Sequence, residues 1–327
     1  MNFNIKANIL CVFLAVILDF ILGDPLWLPH PIIYIGKLIR TMDKWLRRKF
    51  ENNHKLKWAS LLMVFTVCIT TYMIPYILLK FAIINKIVFI IANTIIIWTT
   101  LAAKSLHGAG IEVYNSLVKD DIIDSRIKLS YIVGRDTNSL TKDEIIRGDV
   151  ETIAENTADG IIAPILYAIV GGAPLAMMYK GINTMDSMVG YLNEKYKNIG
   201  FFPANIDDIF NLIPARITGL LMCITAWTVG GNIIKTFKIM IRDRKNHKSP
   251  NCAYPEGATA GALYIQLGGT NSYFGETVSK PTIGDAIIPL EEKHIKQSIT
   301  LMYSSEILLI LLSLLFIIIL KGGIKLF

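Results

Sequence analysis

Trp58-Ala-Ser-Leu-Leu-Met-Val-Phe-Thr-Val-Cys-Ile-Thr-Thr-Tyr-Met-Ile-Pro-Tyr-Ile-Leu-Leu79 runs for 22 residues without a charged side chain. A helix that crosses a bilayer needs about 20 mostly apolar residues, whereas the apolar stripe of a soluble helix is interrupted every turn. This stretch is therefore a spanning segment. Two more runs are of the same kind: 87–103, and 301–320 with the single acid Glu306. Three others are shorter or broken. The run at 7–22 holds Asn8 and Asp19, that at 161–178 is interrupted by Pro164, Gly171, Gly172 and Pro174, and that at 217–234 contains Gly230-Gly231. The whole chain of 327 residues is 53% hydrophobic and 18% charged, against about 25% charged in soluble domains.

The expected fold is all-α, a polytopic membrane helical bundle with about four to six transmembrane helices and helical cytoplasmic loops. It forms a single integral membrane domain over 1–327, with spans at 7–22, 58–79, 87–103 and 301–320. The segments 161–178 and 217–234 are either spans or re-entrant elements, because broken backbone at membrane depth is tolerated where it lines a polar cavity. Polar loops fall at 23–57, 104–160, 179–216 and 235–300. The first run reads as a retained anchor, since Leu22-Gly-Asp-Pro25 offers no small-x-small cleavage site.

Lys plus Arg number 8 in 23–57, 2 in 80–86, 7 in 104–160, 3 in 179–208 and 9 in 232–300. With six spans these counts alternate, and the positive-inside rule puts 23–57, 104–160 and 232–300 in the cytoplasm of a multi-pass cell-membrane protein. The side of 179–216 depends on whether its flanking runs cross. The net charge of +7 needs no nucleic acid, because orientation and anionic lipid account for it. Cys11, Cys68, Cys223 and Cys252 lack metal spacing and read as small core residues; the five histidines are scattered, which argues against zinc.

The polar residues fall in four clusters. In the first, Asp19, Asp24 and His30 surround a helix stop at Gly23-Asp-Pro25 and Pro29-His-Pro31; they are either helix-end groups or the lining of a cavity. In the second, Glu151, Glu155 and Asp159 share one helix stripe, which is either solvated or a divalent-cation site with oxygen ligands; Gly134-Arg135 offers a weak anion site. In the third, Asn183 and Asp186 precede Asp207, Asp208 and Asn211, a spacing that lets oxygens meet a Mg²⁺ bridging phosphates, with Lys180 and Arg216 for phosphate oxygens. Its plainer reading is capping of the following helix by Asp207. The fourth cluster, from Ser249-Pro-Asn251 to Lys280-Pro-Thr-Ile-Gly-Asp285, is rich in glycine. It suits close approach to a ligand, or helix-on-helix packing through Gly257, Ala258, Ala260, Gly261 and Ala262. Neither GxxxxGK[ST] nor GxGxxG occurs, so known nucleotide loops are not supported.

Taken in order, these motifs resemble the adenosylcobinamide-phosphate synthase family. The carrying residues are Leu22-Gly-Asp-Pro with Pro29-His-Pro; Gly134-Arg-Asp-Thr; Val150-Glu-Thr, Ala154-Glu-Asn and Asp159-Gly; Tyr179-Lys with Asn183-Thr-Met-Asp-Ser-Met-Val-Gly-Tyr191; Asp207-Asp with Asn211 and Pro214-Ala-Arg; and Ser249-Pro-Asn251. The resemblance implies a carbon–nitrogen ligase of cobalamin biosynthesis. Such an enzyme joins aminopropanol phosphate to the free propionate of adenosylcobyric acid, with ATP as co-substrate and Mg²⁺ expected. The implied partners are that corrinoid, the aminopropanol phosphate and the lipid bilayer, with a second copy of the chain or other enzymes of the pathway as further candidates. Residue chemistry then suggests the roles. Asp207, Asp208, Asn211, Glu151, Glu155 and Asp159 hold Mg²⁺. Arg135, Lys180 and Arg216 hold phosphates, Asn183 and Asn251 bind substrate, and Asp186 or His30, with Asp24, serves acid–base catalysis. Two rivals stand beside this reading. Asp207-Asp208-x-x-Asn211 also suits a membrane prenyltransferase with a Mg²⁺-bound diphosphate, and the broken apolar runs suit a corrinoid permease.

Overall fold

Helices that are apolar on every side belong in lipid, and the computed structural model of the chain shows several. It describes residues 5–25, 29–191, 193–273 and 276–321; positions 26–28 in the first polar cluster and 274–275 in the fourth fall outside these. Among the described residues, six helices are long and apolar enough to cross a membrane: Ile5–Leu22, Asn53–Ala82, Lys86–Val118, Lys142–Val189, Phe201–Val229 and Lys293–Ile319. The chain is accordingly an all-α polytopic membrane protein. Phe65, Ile69, Ile74 and Leu78 stand exposed along 58–79, as side chains in contact with lipid do.

The chain divides into two compact units, one of residues 1–102 and 163–211, the other of 103–162 and 212–327. In the first unit, α1 (Ile5–Leu22), α2 (Pro31–Lys49), α3 (Asn53–Ala82), α4 (Lys86–Trp98) and α8 (Ala163–Val189) pack on one another, and the first half of α9 (Phe201–Thr225) completes it. His30, Asn52 and Asn85 cap α2, α3 and α4 with their side chains. Ile39, Leu46, Met63, Val67, Met185 and Ile199 form a fully buried core. The glycines and prolines of the run at 161–178 do break the backbone. Gly172 sits at φ 65° and ψ −162° inside α8, just before Pro174. The break separates Ala173 N–H from Ile169 C=O, and two buried amides replace the lost bond. Asn93 Oδ1 accepts the Ala173 N–H at 2.9 Å, and Asn8 Nδ2 donates to the Ile169 carbonyl at 3.2 Å. An orphaned backbone group has no water to turn to at such depth, so these amides are part of the fold.

In the second unit lie α5 (Ala103–Val118), α6 (Ile122–Ser130), α7 (Lys142–Thr157), a π-helical turn at Ala158–Ile162, the remainder of α9, α10 (Ile233–Asp243), α11 (Ala253–Leu263), β1 (Gln266–Tyr273), β2 (Glu276–Gly284) and α12 (Lys293–Lys321). Thr141 and Glu144 form a reciprocal capping box that starts α7. The small residues of α11 pack helix on helix. A Cβ on Gly257 would lie 3.1 Å from Met240 Cα, and one on Gly261 would lie 2.9 Å from Thr236 Cα. The G-x-x-x-G spacing thus brings α10 and α11 into backbone contact.

The polar stretches are largely helical, as expected of helical loops, with α2 in 23–57 and α5 to α7 in 104–160. Most of 179–216 is helix, shared between α8 and α9 and joined over 190–200, because its acids and amides sit at helical i, i+3 and i+4 spacing and pair there. Part of 235–300 is an antiparallel hairpin, Gln266 opposite Gly284 and Tyr273 opposite Glu276, with an irregularity between Gly268 and Thr270. Gly268, Gly269 and Gly284 adopt positive φ, so the strand carries glycines where alternation would have marked it.

Candidate functional site

Each unit gathers its own polar cluster. In the first unit, Tyr179, Lys180, Asn183 and Asp186 lie near the end of α8, and Asp207, Asp208 and Asn211 lie on α9. Asn211 Nδ2 donates to Asp207 Oδ2 at 3.0 Å, and Asn183 Nδ2 approaches Asp207 Oδ1 at 3.4 Å. The Tyr179 hydroxyl donates to Asn211 Oδ1 at 2.8 Å, while its ring stacks on Tyr167 at 5.0 Å. Asp207 is thus a buried carboxylate oriented by two amides, with the like charges of Asp186 and Asp208 acting on it. Asn211 orients Asp207, and its own oxygen accepts the Tyr179 hydroxyl. Lys180 is buried in the same part of α8.

At the other polar stretch of this unit, His30 Nδ1 accepts the Ile32 N–H at 3.3 Å as the cap of α2. The other ring nitrogen, Nε2, lies 3.3 Å from Asp24 Oδ1. Nδ1 is committed to the cap, whereas Nε2 lies within ion-pair distance of Asp24 but makes no hydrogen bond among the described residues.

In the second unit the cluster surrounds a cavity of about 210 Å³, lined among others by Arg135, Glu151, Glu155, His247, Glu256 and Lys280. Arg135 Nη2 meets Glu151 Oε2 at 2.5 Å, with both side chains at or below 10% exposure. Glu151 Oε1 accepts the Gly268 N–H from the hairpin at 2.8 Å. The hairpin is tied down further. Asp136 N–H donates to the Ser272 carbonyl at 2.9 Å, the Ser272 hydroxyl donates to Asp136 Oδ2 at 2.9 Å, and Arg147 Nη2 reaches Thr270 O at 3.1 Å. Glu155 Oε1 accepts from the Cys252 thiol at 3.0 Å. Lys280 Nζ lies 3.1 Å from His247 Nε2, and His247 Nδ1 accepts the Ser249 N–H.

These contacts set the charge states. Burial, and then the charges of Glu151 and Glu155, push the Glu256 carboxyl well above the usual range, against the pull of Lys280 and Arg135. Burial and Lys280 lower His247, so its Nε2 accepts from the lysine ammonium. Burial, with Glu155, Glu256 and Asp159 nearby, raises the Cys252 thiol. Cys252 is therefore a neutral donor to Glu155, with no thiolate character.

Of the three acids at Glu151, Glu155 and Asp159, the first two line the cavity and Asp159 lies in the π turn. Glu151, however, faces a guanidinium. Arg216 and Asn251 meet each other: Nη1 donates to Asn251 Oδ1 at 2.8 Å, and the guanidinium lies 4.3 Å from the Tyr254 ring centre. Among the described residues, no group of three or more His, Cys, Asp or Glu is placed to hold a metal ion. Sequence reasoning gave no role to His247, Lys280 or Glu256. The last had a signal, a lone acid in the small-residue stretch Gly257–Ala262 and Pro255 that α11 carries into the interior.

The CobD/Cbib protein family model matches residues 12–302. The chain is similar to the Cobalamin biosynthesis protein CobD of Clostridium tetani, 59% identical over 301 residues, covering 92% of this chain and 95% of that relative. It is similar to the protein of the same name from Geobacter metallireducens, 48% identical over 302 residues with 92% and 94% coverage. With the Cobalamin biosynthesis protein CbiB of Salmonella typhimurium it shares 45% identity over 304 residues, with 92% and 95% coverage. No solved structure matches the chain. With the family's span reaching from α1 into α12 and holding both polar clusters, the chain belongs to the CobD/CbiB family of cobalamin biosynthesis proteins.

Proposed function

We propose that this protein is an adenosylcobinamide-phosphate synthase, joining aminopropanol phosphate through its amine to the free propionate of adenosylcobyric acid at the expense of ATP. The observation that carries the reading is the cavity in which Arg135 and Lys280 stand beside Glu155 and Glu256, cationic groups and carboxyl groups together in a membrane protein of the cobalamin pathway. A carboxylate is a poor acyl donor. A propionate oxygen therefore attacks the terminal phosphorus of ATP, ADP leaves, and an acyl phosphate results. The amine nitrogen then attacks the acyl carbon, inorganic phosphate leaves, and the ammonium proton passes to a carboxylate. Asp186 or an acid of the cavity serves as that base, in preference to the capped His30.

Mg²⁺ commonly uses one or two carboxylates and completes its shell with water and phosphate. Asp207 and Asp208 suit that demand, with Asn183 and Asn211 orienting Asp207 and the Lys180 charge nearby on α8. When bound, the ion supplies charge that neutralises the phosphates. Glu151 is set aside as a ligand, since a cation there would face the Arg135 guanidinium. Arg216 and Asn251 brace the loop before α11. The basic segments 23–57, 104–160 and 232–300 support a reaction at the cytoplasmic face.

The test is an assay of the purified chain with adenosylcobyric acid, ATP, Mg²⁺ and aminopropanol phosphate, with the corrinoid product read by mass. A product heavier by the aminopropanol phosphate less water, formed with matching ATP turnover, is the expected result. Corrinoid binding with no covalent change, or isoprenoid transfer instead, would overturn it.

A further inference from the structure

We infer that α10 lies in the membrane–water boundary and binds an anionic phospholipid surface, with Ile233, Ile234, Phe237 and Ile241 among the acyl chains and Lys235, Lys238 and Lys245 at the headgroup phosphates.

The helix has three faces. At 3.6 residues per turn, Thr236, Met240 and Asp243 share the buried one, which meets α11 at Gly257 and Gly261. Ile233, Ile234, Phe237 and Ile241 fall on the next face, and all four are exposed, Ile234 at 66%. Lys235, Lys238 and Arg242 fall on the third face and are exposed as well, and the exposed Lys245 follows just past the helix end. An uncovered apolar face bordered by a basic one is the pattern of an interfacial helix. Over 233–248 the chain holds six Lys or Arg and one acid. That acid, Asp243, is buried and engaged by Arg242 and by the Gly284 N–H. The outward field of the segment is therefore basic, which complements anionic headgroups.

The depth of α10 is read from α12. The first turn of α12 carries Lys293 and Lys296, and its apolar run begins at Leu301. Leu301 shares a buried core with Met240 of α10 and with Met222 and Cys223 of α9. One turn earlier, Gln297 Nε2 donates to the Val229 carbonyl at 3.2 Å, just before the Gly230-Gly231 turn from which α10 starts. Thus α10 stands beside the point where α12 passes from lysines to apolar side chains, which is where the bilayer boundary falls on a spanning helix. Trp227, in the turn before Gly230, is exposed, as aromatic rings at that boundary are. This level favours lipid over a second copy or a soluble acidic protein as the occupant. The chain beyond α10 continues into Asn246 and His247, which line the cavity, so a lipid seat also steadies that wall.

The test uses the full chain carrying Ile234→Cys with a nitrobenzoxadiazole label. A Cys68→Ser background serves, since the other native cysteines are buried. The labelled chain is placed in nanodiscs of phosphatidylcholine, or of phosphatidylcholine mixed with phosphatidylglycerol, with and without doxyl-labelled lipid. One lysine near an anionic surface contributes roughly fivefold to binding. Quenching by doxyl lipid should therefore rise when phosphatidylglycerol is present, and high salt should remove that increment. Changing Lys235, Lys238 and Lys245 together to Gln should remove it too, with thermal unfolding reporting whether the variant is folded; the salt series stands without any such variant. A label on Lys238→Cys should quench less and be reached by aqueous iodide. Absent quenching at position 234, or equal quenching with and without phosphatidylglycerol, would overturn the inference. So would a label at 234 shielded from both doxyl lipid and iodide, the sign of a second copy or another protein on this face. An increment kept by the folded triple variant would also overturn it.

Discussion

Asn93 Oδ1 accepts the Ala173 N–H at 2.9 Å, across the break that Gly172 opens in α8. Asn93→Leu removes the acceptor and leaves a buried donor unsatisfied. The expected cost is about 1–3 kcal/mol, read as a lower midpoint of thermal unfolding in detergent. An unchanged midpoint would show that the N–H finds another acceptor.

Arg135 and Glu151 form a buried pair whose second carboxylate oxygen holds the hairpin through Gly268. Removing one partner of such a pair costs about 3–5 kcal/mol, because the other charge is left buried. Arg135→Ala should therefore destabilise more than Glu151→Gln, which keeps an oxygen for Gly268. Lys at 135 should rescue stability in part, with a single point charge replacing the fork. Denaturation midpoints of the three variants, with activity measured alongside, rank these effects.

Tyr179 acts on Asp207 through Asn211. Tyr179→Phe keeps the ring stacked on Tyr167 and deletes only the hydroxyl. Groups that orient a metal-binding carboxylate typically contribute 10–100-fold, so amide formation should fall by about that factor with a raised Mg²⁺ requirement. Asp207→Ala should abolish it, with membrane insertion retained. Full activity in either variant would remove this cluster from the mechanism.

The Glu256 shift has a definite sign. Its folded-state pKa is raised above the ordinary 4.5, so the stability it contributes is complete below that value and is lost as pH rises toward the folded pKa. Glu256→Gln cannot ionise and escapes this loss. Its unfolding midpoint, taken relative to wild type, should climb between pH 4 and pH 8. A difference that stays flat with pH would mean that the carboxyl is not held neutral.

The apolar runs were legible because length and uniformity alone distinguish a spanning helix, and the break at 172–174 was legible because Gly and Pro announce it. Neither reading could find Asn8 and Asn93, whose partners lie far along the chain. Helical spacing paired Asp207 with Asn211, whereas the approach of Asn183 to Asp207 joins two helices and lay beyond it. The cavity was less accessible. Its walls join α7, α11 and a hairpin whose strands carry Gly268, Gly269 and Gly284 in place of an alternating pattern. Lys280 had no visible place until that hairpin existed. Glu256 was visible as a letter, but its burial is set by glycines that draw α11 onto α10.

The division of the chain into units also bears on how the protein is made. All residues of the first unit have left the ribosome once position 211 is out, whereas the second begins at 103 and draws on the chain to its end. The first can close around the Gly172 break while α7 still waits for the hairpin that will engage Glu151. Until Gly268 arrives, Arg135 is the only partner of that carboxylate among the contacts described above, and the cavity has no far wall. A chain stopped between the two would carry a finished first unit and no pocket.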